Sequence, residues 1–158
     1  MQVAPQAEPR RRRAGRVLLV DAADRVLLFR GSDPHRPDRQ YWFTPGGGLD
    51  DGETTAQAAA RELYEETGLA VPAERLGGPV HSEVTAFSFA GVAYQQEQDF
   101  FVVRVPQWQV DTSGFDEVER AWVHGHHWWS VAELRGTDEV IYPADLVAVM
   151  CGAGVVAC

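Results

Sequence analysis

Glu62, Glu65 and Glu66 crowd a short stretch that follows three consecutive glycines, Gly46 to Gly48. At about 100° per residue the three glutamates fall within a sector of roughly 100° on a helix. Ala59, Ala60, Leu63, Tyr64 and Thr67 occupy another sector. Like charges three or four residues apart destabilise a helix by a few tenths of a kcal/mol per pair, and Arg61 can compensate only in part. A hard divalent cation can neutralise the group, because Mg²⁺ takes carboxylate oxygens, keeps several waters and bridges to substrate phosphates. A solvated acidic face is the alternative, and the residues upstream weigh against it. Trp42-Phe43-Thr44-Pro45 precedes the glycines, whose bare backbone can approach a ligand or metal closely.

The spacing joins these two halves. Gly47, then Glu53, then Arg61-Glu62-Leu63-Tyr64-Glu65-Glu66-Thr67-Gly68-Leu69 fill every fixed position of G-x5-E-x7-R-E-U-x-E-E-x-G-U. The chain thus resembles a Nudix hydrolase, and Trp128-Trp129-Ser130 with Glu133-Leu134 resembles the family's later segments. The resemblance implies an α+β fold of the α/β/α sandwich type, with a mixed β-sheet and a loop-helix-loop catalytic unit. It implies metal-dependent hydrolysis of the diphosphate linkage in a nucleoside diphosphate joined to another moiety. Carried over by residue, Glu62, Glu65 and Glu66 would bind Mg²⁺ or Mn²⁺ with the Gly46 carbonyl, while Glu53 and Arg61 would form a structural ion pair. The general base would be Glu62 or Glu65 within the box, or Glu97 outside it. Glu117 and Glu119, in a loop able to swing over the site, are further options. Arg36 and Arg39, with neighbouring His35, could contact substrate phosphates, and Phe43 could stack on a base. The proline that marks ADP-ribose-hydrolysing members downstream of the box is missing. A non-catalytic Nudix-like domain that senses a nucleotide is the competing reading, although such modules usually lose box acids.

The elements that must position these groups can be read from patterning. Arg16 to Val20 and Val26 to Arg30 predict a hairpin around D-A-A-D. Gly31 to Gln40 reads as a loop and Tyr41 to Thr44 as a short strand. Thr54 to Thr67 predicts the strongest helix, with a Thr54/Gln57 capping box and Gly68 at its end. His81 to Phe89 and Tyr94 to Val105 predict long antiparallel strands around Gly91. Glu119 to Val123 and His127 to Trp129 predict shorter strands, Val131 to Leu134 a helical turn, and Pro143 the start of a helix toward Met150.

The 158 residues are 45% hydrophobic and carry a net charge of −9, which suits one domain, assigned to residues 16 to 158. All 14 basic residues are arginine, and Arg10 to Arg13 lie in a stretch, residues 1 to 15, that reads as a flexible tail. The remainder is strongly acidic, which disfavours a stable complex with nucleic acid and makes cations a requirement for polyphosphate substrates. No apolar run approaches the ~20 residues of a bilayer span, so no membrane association is expected. Cys151 and Cys158 cannot supply a disulfide framework or a four-cysteine zinc site; they suit a reducing, cytoplasmic location. His124, His126 and His127 lack evident further zinc ligands and read as hydrogen-bonded imidazoles. The apolar run Val147 to Cys158 packs on its own domain or on a second copy in a homodimer.

Overall fold

The computed structural model describes residues 8–158. An eight-stranded mixed sheet runs β5 (His81–Phe89), β6 (Val92–Arg104), β1 (Arg10–Val20), β2 (Val26–Asp33), β3 (Arg36–Phe43), β8 (Ile141–Tyr142), with β4 (Gly46–Gly48) joined to β1 and β7 (Val123–Trp129) to β2. The central strand β1 (Arg10–Val20) pairs in parallel with β6 (Val92–Arg104) along its whole length, from Arg10 opposite Tyr94 to Val20 opposite Arg104. Its Val17 to Val20 run is fully buried because both faces are covered. Even-numbered Leu18 and Val20 enter one core with Trp42, Phe100 and Trp129, beneath α3 (Val131–Gly136) and α4 (Leu146–Gly152). Odd-numbered Val17 and Leu19 enter the other, with Leu27, Phe29, Ala59 and Leu63, beneath α1 (Thr55–Thr67). The result is the expected α+β sandwich around a mixed sheet.

Sequence periodicity is followed closely in α1 and in the hairpin of β5 (His81–Phe89) and β6. Thr54 accepts from the Gln57 amide and Gln57 returns a bond to the Thr54 amide, while Gly68 closes α1 in the left-handed region at φ 78°.

Four expectations are corrected. The arginine run is not tail: Arg10 to Arg13 open β1, because β6 continues beside them and Arg12 lies over the Tyr94 ring at 5.7 Å. The sheet therefore claims residues 10 to 15, and residues 1 to 7 lie outside the described ones. The polar stretch read as a loop is mostly strand, since β2 (Val26–Asp33) and β3 (Arg36–Phe43) pair to their tips with a register shift at Ser32/Asp33. Glu119 to Trp122 is not strand but the body of α2 (Glu117–Trp122), which Asp116 and Glu119 nucleate through a reciprocal capping box, and Val123 opens β7. Pro143 does not begin α4; its carbonyl takes the Leu146 amide in a preceding turn.

At the C-terminus Leu146, Val149, Met150 and Val155 are buried in the chain's own core. Cys151 and Cys158 are joined by a disulfide, their Cα atoms 5.8 Å apart, because the chain turns back through Gly154. No helix among the described residues is long and apolar enough to cross a membrane.

Helix α1 can lie against β1 only because residue 15 has no side chain. A Cβ there would stand 2.0 Å from the Thr55 carbonyl oxygen. Gly15→Ala should lower unfolding stability by about 1–3 kcal/mol, as for other overpacked sites. Gly136→Ala, with nothing within 4 Å of the added carbon, should leave the urea midpoint unchanged.

Candidate metal and active site

The acidic face of α1 is held against β4. Glu66 accepts a hydrogen bond from the Gly46 amide at 3.0 Å, and a Cβ on Gly47 would lie 2.6 Å from a Glu62 carboxylate oxygen. A side chain at residue 47 would therefore displace Glu62. Gly46, at φ 137°, adopts a backbone conformation that other residues rarely tolerate, and its missing side chain lets β4 close on Gly15 and Arg16.

Glu62, Glu66 and Glu119 form the carboxylate group: one oxygen of each lies within 4.8 Å of the others. It is the one cluster of metal-ligating side chains of this kind among the described residues. Glu66 is only 2% exposed, and the Gly46 amide is its one hydrogen-bond partner among the described residues. Burial, reinforced by Glu62, pushes its pKa well above the ordinary carboxylate range. Burial likewise pushes Glu119 up to about 7, with Glu62 among the charges that add to it. Arg16 lies near Glu66 but forms no ion pair with it among the described residues; its guanidinium instead bonds the Thr44 carbonyl. Three converging oxygen donors, one nearly sealed from water and lacking a counter-ion, are a donor set suited to a hard divalent cation.

Arg61 organises the other flank. It makes two bonds to Glu53, at 2.9 and 3.0 Å, and reaches the Gly48 carbonyl at 3.0 Å. The Arg61 hydrogen bonds hold the Glu53 carboxyl below its usual range. The same guanidinium meets Glu62 at 3.0 Å and Glu65 at 3.4 Å. Glu65 turns toward Arg61, stays 40% exposed at its side chain and lies outside the group of three. Burial and Glu62 raise its pKa.

The remaining predicted residues are not gathered here. Glu97 is exposed on β6, in register with Arg13 and alternating with buried Gln96 and Gln98. It shares the parity of Asp99, which accepts a hydrogen bond from Thr55 of α1 at 2.6 Å, but it lies outside the group of three carboxylates. Arg36 and Arg39 are exposed on β3. Phe43 is half-buried and stacks on Trp122 with ring centroids 5.4 Å apart, which fixes α2 over β3. His124 bonds Ser32 at 2.8 Å and His127 bonds Glu133 at 2.9 Å, whereas His126 packs edge to face on Phe29 at 6.4 Å. Glu119 joins Glu62 and Glu66 although sequence patterning sets it on a strand; the Asp116/Glu119 capping box is the local signal for a helix.

The NUDIX domain family matches residues 9–147. The chain belongs to the Nudix family. Among its Nudix relatives, the RNA pyrophosphohydrolase of Bradyrhizobium diazoefficiens is 37% identical over 97 residues, which are 56% of this chain and 58% of that protein. The RNA pyrophosphohydrolase of Brucella ovis is 44% identical over 71 residues, 42% of this chain and 39% of the relative. The matched stretch thus spans well under two thirds of either relative. In fold, the chain is similar to the MutT protein of Methanosarcina mazei Go1, with a TM-score of 0.63 at 20% identity, covering 94% of this chain and 96% of that one. It is also similar to the dihydroneopterin triphosphate pyrophosphohydrolase of E. coli, with a TM-score of 0.61 at 21% identity, covering 90% and 96%.

The raised carboxyl pKa values have a sign. Glu119 keeps its proton up to about pH 7 in the folded chain but loses it in the ordinary carboxylate range when unfolded, so folding binds protons across that window. In chelator the stability of the protein should therefore fall as pH rises from about 4.5 toward 7. Glu119→Gln should flatten that fall in urea titrations. An unchanged slope would show that the carboxyl is not perturbed.

Proposed function

We propose that this Nudix protein hydrolyses the diphosphate linkage of a nucleotide-type substrate, with Mg²⁺ or Mn²⁺ held by Glu62, Glu66 and Glu119. The observation that carries the reading is the meeting of these three carboxylates, one from outside the box, at a complete Nudix motif. When bound, the cation neutralises charge on nonbridging phosphate oxygens and lowers the pKa of water.

The chain's own residues supply the rest. The Gly46 amide fixes the Glu66 oxygen, and Arg61 fixes Glu62 while its pairing with Glu53 ties the loop to α1. Glu119 closes the cation site from α2, and Glu65, part-exposed and outside that group of three, is the general-base candidate. Arg12 and Arg16, on the inward face of β1, are suited to the substrate's phosphates, ahead of the exposed Arg36 and Arg39. Arg12 Nε, Gln96 Oε1 and Trp122 Nε1 are buried without protein partners on the elements around the cluster, and they offer polar contacts to a substrate. The named activity of the bacterial relatives makes a 5′-triphosphorylated RNA end one substrate to test beside free nucleotides.

The decisive assay is phosphate and pyrophosphate release, with products separated by chromatography. Its panel comprises nucleoside triphosphates, nucleotide sugars, ADP-ribose, dinucleoside polyphosphates and a 5′-triphosphorylated oligonucleotide, each with Mg²⁺ or Mn²⁺. Glu62→Gln or Glu66→Gln should lower turnover by at least about two orders of magnitude without loss of fold. Glu119→Gln, which removes the third carboxylate of the cation site, should also lower turnover. Full activity in Glu66→Gln, or no cleavage of any substrate by the parent protein, would refute the assignment.

A further inference from the structure

On the reverse face of the β2–β3–β7 region lies a second polar cavity of about 420 Å³, within the usual size of a small-molecule site. The pairing of β2 with β3 separates it from the acid cluster. Phe29 and Phe43 form one cross-strand pair, and Phe43 stacks on Trp122 of α2. Arg30 and Trp42 form the next pair and so face the opposite side, where they line the cavity with His127, Trp129, Glu133 and Glu139.

Arg30 is the anomaly. It is part-buried, and among the described residues its guanidinium forms no ion pair and no hydrogen bond. It lies 5.9 Å over the Trp42 ring, and its buried Nε lacks an acceptor. The Trp129 indole N–H, in a residue only 5% exposed, also lacks one. Both side chains bring donors to the lining. The lining also holds acceptors: Glu133 is engaged by His127 and its own helix cap, but the Glu139 carboxylate is free of hydrogen bonds among the described residues. The walls are rings, with Trp42 and Trp129 edge to face at 5.1 Å and His127 beside Trp129 at 5.2 Å.

Each charge narrows the occupant. The two carboxylates repel a free polyanion, and Arg30 repels a cation. An uncharged planar ligand with two acceptors on one edge and donors on another satisfies both Arg30 and Glu139. We propose that this cavity is a non-catalytic site for a guanine base, with O6 and N7 accepting from Arg30 and the N1 and N2 hydrogens donated toward Glu139. Aromatic walls supply the stacking surface on which unpaired bases are held. Adenine presents N7 and an amino group on the first edge and has no N1 hydrogen, so the arrangement discriminates between purines. The site requires neither the metal nor the hydrolytic reading.

Guanosine, which carries no phosphate, is the probe, with adenosine and inorganic phosphate as controls. Binding to the whole chain in EDTA is followed by calorimetry and by quenching of tryptophan fluorescence, since Trp42 and Trp129 flank the cavity. Saturable binding of guanosine is expected, weakened at least about tenfold by Arg30→Met and by Glu139→Gln, and unaltered by Glu66→Gln. The exposed Glu139 keeps the test sound should Arg30→Met not fold. Absence of saturable guanosine binding, equal affinity for adenosine, or loss of binding in Glu66→Gln would each overturn the proposal.

Discussion

A carboxylate that water scarcely reaches governs this structure. Glu66 is buried against the amide of a glycine strand, and an anion so placed is tolerated only with strong compensation. Gly46 supplies one hydrogen bond, Arg16 contributes field from a distance, and a proton or a cation must supply the rest. The packing that enforces the burial lies in the bare backbone on either side. Gly15 admits the helix to the sheet, and Gly47 leaves room for the neighbouring Glu62. Substrate chemistry and glycine placement are therefore one constraint seen from two sides.

Arg61 divides the glutamates of α1 by function. Its fork is occupied by Glu53 and Gly48, and its remaining reach draws Glu65 outward. Helical spacing explains the division. Glu65 follows Arg61 by four residues and shares its flank, whereas Glu62 and Glu66, also four apart, share the flank nearest β4. The vacancy this leaves beside Glu62 and Glu66 is taken by Glu119, carried on α2.

What could be read beforehand follows from the range of the interactions. The box helix was legible because its cap, its terminating glycine and its acidic face are all local. The layers were legible because period-two burial marks β5 and β6 residue by residue. Glu119 was not, because Val118, Trp122 and Val123 give its segment a strand-like composition that the Asp116 cap overrides. For Glu97 the polar run states only that a strand edge is solvated, and register sets it beside Arg13, exposed and outside the group of three carboxylates. The arginine run likewise looked solvated until β6 provided a backbone edge for it, a pairing more than 80 residues distant in sequence.

That distant pairing bears on synthesis. β1 meets β2 at a single pair, Val20 with Val26, but meets β6 along its entire length. As the polypeptide leaves the ribosome, the central strand must wait for residues 94 to 104 before its ladder can form. Until then an apolar segment, Val17 to Val20, stays without its main neighbour, so the nascent chain is most open to misassociation before its middle third is complete.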